Sequence, residues 1–395
     1  MERKLTPLVI FAFQLLFLAL MLYSAARFQF PAAFGRLQGI TDFDAFYVAG
    51  LMYWDNDLVA AYHFRTLFEA QQRFTGTTSF MPWTYPPPFN LVTLLLASLP
   101  IGLAYLLFTG ATFLAYMAVL RRIAGAHAGF VTFAILPAIA MNIRTGQNGF
   151  MTGALIGVFL LAYVRGSAGG GVALGLMVFK PHLAVGSALL ALLDARWGRV
   201  FAAGATVLAL LAASTWVFDP RIWPAFAGAV REASQFMAAG YYPFFRMTSV
   251  YALLHSFGAP PGVALGAQVA LLALACAVIV AAALRAPDRR VVAAIVAFCS
   301  PLFSPYSYDY DLTVLGLAIA FLMPVLGERM PERNLWMLVG ASWIATGSGF
   351  VTTLLHEATG RGATASFGEA ADLLSLGFVG LALLAIMGWR WLRTP

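Results

Sequence analysis

Charge is what this chain has least of. Asp, Glu, Lys and Arg supply 10% of its 395 residues, and hydrophobic residues supply 61%. A soluble globular chain carries about a quarter charged residues, so this one cannot build a water-facing surface. The mean hydropathy of +0.81 agrees. The expectation is an all-α integral membrane protein with one membrane domain over residues 1–395 and no sizeable soluble domain. Disorder, collagen, coiled coil and disulfide scaffold are excluded. Cysteine is nearly absent: Cys276 and Cys299 lie in apolar runs without metal-ligand spacing and read as buried spectators. The chain also lacks a P-loop, a dinucleotide glycine fingerprint, a nucleophile elbow and any His/Asp/Glu cluster with metal spacing. Neither ATP nor a nucleotide-sugar is expected as direct substrate, and no cofactor or metal is expected. No internal repeat stands out, which counts against an inverted-repeat transporter. The net charge of +7 suits arginines in cytoplasmic loops facing anionic lipid headgroups rather than nucleic acid.

Long apolar runs are what the chain has instead. The run from Leu5 to Tyr23 follows Met-Glu-Arg-Lys like a secretory signal, but it is long enough to span a bilayer and reads as the first membrane helix. Further spans are expected near 90–120, 129–143, 147–164, 200–217, 262–285, 312–327, 335–355 and 371–389, with a short one at 291–303. Residues 172–193 are broken at Lys180-Pro181-His182, because proline removes a helix donor and clashes with the preceding turn. Basic residues at Arg3/Lys4, Arg121/Arg122, Arg165, Arg196/Arg199, Arg285/Arg289/Arg290, Arg329/Arg333 and Arg390/Arg393 must share the cytoplasmic side. That requires 172–193 to be a hairpin whose tip lies deep in the membrane or near the outer face. The total is about twelve membrane helices with both termini cytoplasmic.

The polar material then falls on the outer side. It comprises a long loop at 28–89, a second at 218–247, and shorter turns at 144–149, 304–311 and 356–369. The mixed pattern of 43–53 and 58–70 suits amphipathic helices on the membrane interface. Carboxylates come from Asp42, Asp44, Asp309 and Asp311, and cations from Lys180, Arg144 and Arg246, with His182 beside the first. A cavity lined by both suits transfer from a phosphate-linked donor: cations hold the leaving phosphate and a carboxylate takes a proton from the attacking hydroxyl. Lys180 is the sharpest signal, since a charge within a membrane helix is costly and usually lines a cavity or pairs; the alternative is a lysine snorkelling to the headgroups. Asp42 is equally readable as a helix cap, a role open to Thr41 as well. Asp55 and Asp57 read as a solvated turn, as does His356-Glu357. Tyr85 enters a stiff Pro86-Pro87-Pro88 junction and is placed to face the cavity. Gln147 and Asn148 open a helix, where an anion contact or simple capping is expected. Tyr306, Asp309 and Asp311 belong to a polar, aromatic break dense enough to suggest substrate contacts.

Asp-Phe-x-x-Phe-Tyr-x-Ala at Asp42 to Ala49 resembles the family 87 glycosyltransferases. So do Tyr85-Pro86-Pro87, Gly146-Gln147-Asn148, Phe179-Lys180-Pro181, and Ser304-Pro305 followed by Tyr310-Asp311. These matches keep the family's order over about residues 35–315. The resemblance implies a GT-C-like helical bundle in the bacterial inner membrane, working in glycolipid biosynthesis for the cell envelope. It implies a polyprenyl-phosphate-linked donor, mannose as the expected sugar, a lipid or glycan acceptor, and inversion at the extracytoplasmic face. It also implies an aspartate base, at the matching position Asp42, and a donor phosphate facing the Lys180 segment. Asp44 has no clear counterpart and is the second choice of base, and His182, Arg144 and Arg246 are expected as further contacts to the donor phosphate. Where mycobacterial members carry histidines after Ser-Pro, this chain has Asp309, Tyr310 and Asp311. The rival class is a transporter or flippase of lipid-linked sugars, which needs no carboxylate base. A third reading is a non-catalytic partner in glycan assembly.

Overall fold

The structure is a computed structural model that describes residues 7–34, 39–286, 288–326, 330–358 and 373–393. Arg3, Lys4, Arg329 and most of the expected 356–369 turn lie outside the described residues. Every regular element described is helical, and Met247 and Tyr308 form an isolated antiparallel bridge.

Five helices among the described residues carry stretches long and apolar enough to cross a bilayer: Ala12–Gln29, Ile101–Ala134, Trp197–Phe218, Pro261–Arg285 and Glu332–Ala358. Shorter apolar helices fill in between, including Gly149–Val164 and Pro181–Leu193. Several expected spans are divided. The run at 90–120 becomes Asn90–Leu96 and Ile101–Ala124, parted at Pro100, and the run at 129–143 becomes Ala128–Ala134 and Leu136–Thr145. Proline again explains both divisions, since Pro100 and Pro137 tolerate only the first turn of a new helix. Residues 172–193 break where expected: helix Gly171–Leu176 tightens into a 3₁₀ turn at Met177–Phe179, and Pro181–Leu193 restarts after Lys180.

The 28–89 segment departs from expectation. Helix Asp42–Trp54, expected as an amphipathic helix on a surface, is packed inside the protein. Phe43, Phe46, Val48 and Ala49 are buried, and Gly50 lies so close to the Asn90–Leu96 helix that a Cβ there would sit 2.2 Å from the Thr93 carbonyl oxygen. Phe46 meets the rings of Trp83, Tyr85, Phe89 and Phe108 at centroid distances of 6.0, 5.3, 5.0 and 6.1 Å, within the range of favourable aromatic pairs. The apolar residues run all round this helix rather than along one stripe, which is the mark of a buried helix. The amphipathic helix of this segment is Phe64–Thr75, with Arg65 and Glu69 exposed. Residues 218–247, expected as loop, contain helix Ile222–Ala238.

One end of the bundle gathers charge into a structural knot. Asp194 accepts from Arg199 at 2.7 Å and Arg289 at 2.9 Å, with Arg196 at 3.3 Å. Arg199 is buried and also donates to the carbonyls of Ala162 and Ser167. The polar cavity lies at the other end of Gly149–Val164, a separation of about 24 Å for sixteen residues at 1.5 Å each.

Candidate active site

A cavity of about 490 Å³ is lined by side chains from distant parts of the chain. Asp42 comes from the start of helix Asp42–Trp54, Tyr85 from the proline junction and Gln147 from the turn before helix Gly149–Val164. Lys180 and His182 come from the broken helix, Arg246 from the second loop, and Tyr306, Tyr308 and Tyr310 from the late turn.

Local structure explains how each is held. Thr41 is the N-cap of helix Asp42–Trp54, and Asp44 closes a capping box: its carboxylate accepts from the Thr41 backbone N–H at 3.0 Å and hydroxyl at 2.9 Å. Capping therefore falls to Thr41 and Asp44 and leaves Asp42 for the cavity. Asp42 Oδ1 accepts from Gln147 Nε2 at 2.8 Å, while its Oδ2 has no hydrogen-bond partner. Gln147 Oε1 accepts from the Tyr85 hydroxyl and from the Asn148 backbone N–H, both at 2.8 Å.

Gly146 makes this approach possible. Its φ is +66°, and a Cβ there would sit 2.6 Å from Phe43 Cβ, the residue next to Asp42. Gly146→Ala should cost about 2–4 kcal/mol through left-handed strain and overpacking, and should lower transfer by displacing Gln147 from Asp42. Thermal unfolding of the detergent-purified variant and its transfer rate check both.

Two buried ion pairs flank the cavity. Lys180 Nζ lies 2.6 Å from Asp311 Oδ1. Arg246 engages Asp309 with two N–H groups, at 3.1 and 3.3 Å. Both carboxylates come from one short turn, Asp309–Leu312, where the ring of Tyr310 stacks on that of its N-cap residue Tyr308 at 5.2 Å. Lys180 Nζ lies 4.8 Å from the Tyr310 ring centre and Arg246 lies 5.7 Å from that of Tyr308, within cation–π range. Asn142 ties the turn to the bundle, donating to the Tyr310 carbonyl at 2.8 Å and accepting from the Gly149 N–H at 3.0 Å. Burial pushes the Asp42 carboxyl up from the ordinary carboxylate value; Arg246 and Lys180 oppose this, and Asp309 reinforces it. Burial likewise pushes Asp309 up against the pull of Arg246.

Some expected residues fall elsewhere. Arg144 lies away from this cavity: it pairs with Glu357 and lines a smaller pocket with Arg27, Thr41 and Asp44. Gly146 turns the chain between Arg144 and Gln147, so the two side chains serve different spaces. Asp44 is a capping residue on that same smaller pocket. Asn148 is fully buried at the N-cap of Gly149–Val164, and its side-chain amide has no hydrogen-bond partner. His356 corrects the solvated-loop reading: it lies on the last turn of Glu332–Ala358 and lines the large cavity beside Thr353, one helical turn earlier. That three-residue spacing was the available signal. Asn142 was not anticipated and has no local signature, because its partners are distant. Asp55 and Asp57 are exposed, as expected of a solvated turn. Among the described residues, no group of three or more His, Cys, Asp or Glu side chains is placed to hold a metal.

The sequence model of glycosyltransferase family 87 matches residues 83–305, more than half of the chain. The chain belongs to this family. No curated protein and no solved structure matches it. The family 87 match includes Tyr85, Gln147, Lys180, His182, Arg246 and Ser304, and so covers most of the cavity wall. Asp42 lies before it and Asp309 and Asp311 after it. Membership makes the protein a membrane glycosyltransferase, and the geometry supplies the arguments about individual residues.

Proposed function

We propose that this family 87 enzyme transfers a sugar, mannose first, from a polyprenyl-phosphate-linked donor to a lipid or glycan hydroxyl, with inversion. Asp42 Oδ2 takes the proton of the acceptor hydroxyl. The acceptor oxygen attacks the anomeric carbon, the bond from that carbon to the phosphate oxygen breaks, and its electron pair leaves on the lipid phosphate. A single displacement through an oxocarbenium-like transition state inverts the anomeric centre, as in other glycosyl chemistry. Lys180, Arg246 and His182 receive the charge that develops on the leaving phosphate. His182 Nε2 is buried without a hydrogen-bond partner, and Arg246 commits only Nε and one Nη to Asp309. An apolar wall of Phe80, Met81, Phe226, Val230 and Ala233 suits the donor's prenyl chain.

The observation that carries this reading is the position of Asp42: a buried carboxylate with one unpartnered oxygen, in the same cavity as two cations. The basic loops around Asp194 at the opposite end support an extracytoplasmic cavity with cytoplasmic termini, in a chain of about twelve crossings.

The test offers purified enzyme, with EDTA present, a synthetic polyprenyl-phosphate-mannose, polyprenyl-phosphates of other sugars and GDP-mannose, together with membrane-extracted lipid acceptors. Transfer from a polyprenyl-phosphate sugar that persists in EDTA, with NMR showing an inverted anomeric configuration, is expected. Transfer from GDP-mannose alone, or with retention, overturns the reading.

A further inference from the structure

We propose that Gln147 is a positioning residue: its amide holds one oxygen of Asp42 and thereby leaves the other, Oδ2, as the atom that takes the acceptor's proton. This rests on Asp42 as the base. It replaces a role for Gln147 in gripping substrate.

Chemistry fixes the direction in which the amide points. Gln147 Oε1 stands 2.8 Å from the Asn148 backbone nitrogen, and a backbone N–H can only donate, so the amide oxygen must lie there. The Tyr85 hydroxyl donates to the same oxygen at 2.8 Å. The NH₂ group is therefore forced toward Asp42 Oδ1, 2.8 Å away. Gln147 itself is buried, with its oxygen engaged twice and its nitrogen once, so little remains for a ligand.

Its backbone is equally constrained, between the left-handed Gly146 against Phe43 and the Gly149 N–H held by Asn142. Helix Asp42–Trp54 and the 146–149 turn are thus joined at both backbone and side chain. Oδ1 is engaged before any substrate arrives, and Oδ2 is left as the carboxylate oxygen without a hydrogen-bond partner, on a residue that lines the cavity.

An amide N–H bonded to a carboxylate favours its charged form, so removing it should make Asp42 harder to deprotonate. The other groups that act on Asp42 are Lys180 and Arg246, which favour the charged form, and Asp309, which opposes it. The hydroxyls of Tyr85, Tyr308 and Tyr310 share the cavity. Asp44, Arg27 and Arg144 line the smaller pocket and not this cavity. A change at Gln147 removes none of these groups; Gln147→Ala frees the Tyr85 hydroxyl, which donates to the amide oxygen, whereas Gln147→Glu keeps an oxygen for it.

The experiment is an infrared pH titration of the full chain in lipid nanodiscs, which needs no substrate. The protonated Asp42 carbonyl band is identified by its loss in Asp42→Asn. Gln147→Ala removes the donor. Gln147→Glu keeps the shape and sets a carboxyl against Oδ1, as in other paired carboxylates. Both variants should move the Asp42 midpoint to higher pH. Transfer from polyprenyl-phosphate-mannose should lose about 100-fold in kcat, with donor KM close to wild type and the acid limb moved to higher pH. Gln147→Glu keeps the question answerable if Gln147→Ala does not fold. Unmoved midpoints, or a rise in donor KM with kcat intact, overturn the inference. An inactive Asp42→Asn beside unmoved Gln147 variants overturns this inference alone, whereas an active, folded Asp42→Asn overturns the base assignment beneath it.

Discussion

Lys180→Ala should weaken donor use far more than acceptor use, with kcat/KM for the donor falling about 10²–10³-fold. It should also destabilise the protein, because Asp311 is left buried and uncompensated. Lys180 is 6% exposed and Asp311 1%. Breaking one side of a pair this deeply buried costs about 3–5 kcal/mol, whereas replacing both sides is often neutral. The two effects therefore separate. Lys180→Met/Asp311→Asn removes both charges and keeps a side-chain oxygen for the Tyr308 N–H, which Asp311 Oδ2 now accepts at 3.3 Å. This double variant should regain thermal stability without regaining donor use. Recovery of both would make the ion pair purely structural, and equal effects on donor and acceptor would count against a phosphate role.

Asp42→Asn should reduce transfer by about 10²–10⁴-fold, the range for loss of a general base. The protein should nevertheless fold at least as well as wild type at neutral pH. A carboxyl whose folded pKa is raised costs stability once it ionises. That cost is absent at low pH and accrues as pH rises from the unfolded value through the folded one. Asparagine is never charged, so the variant should show none of this loss. The amide introduced at position 42 can still accept from Gln147 through its oxygen, so the link between the two elements survives. The same upward shift sets the acid limb of wild-type activity. A base must be deprotonated, so activity should fall as pH drops through a value above the ordinary carboxylate range. Thermal unfolding against pH and a pH–rate profile measure the two consequences separately.

Local features of the fold were readable because they act over a few residues. Pro181 breaks its helix whatever surrounds it, and the runs at 262–285 and 335–355 appear as helices Pro261–Arg285 and Glu332–Ala358. The burial of helix Asp42–Trp54 is not legible locally, because its Phe and Tyr residues suit a membrane surface as well as an aromatic core. What decides between them is Trp83, Phe89 and Phe108, which arrive from later in the chain. The candidate site divides in the same way. Residue types and the shared outer side named Asp42, Lys180, Arg246, Asp309 and Asp311, and these come together around the cavity. Their pairings span 131 residues for Lys180–Asp311 and 63 for Arg246–Asp309, and no local pattern encodes such partners. The expected outer side groups Arg144 with the other cations, but its side chain pairs with Glu357, across the left-handed turn at Gly146 from Gln147.

The most direct test of a carboxylate base serving a lipid-phosphate donor is transfer of labelled mannose from synthetic polyprenyl-phosphate-mannose to membrane-extracted lipids. Wild type and Asp42→Asn, both purified, run side by side, each with its folding confirmed by thermal unfolding. Transfer by the wild type and almost none by a folded Asp42→Asn is the expected result. Equal transfer by the two would contradict a carboxylate base at Asp42.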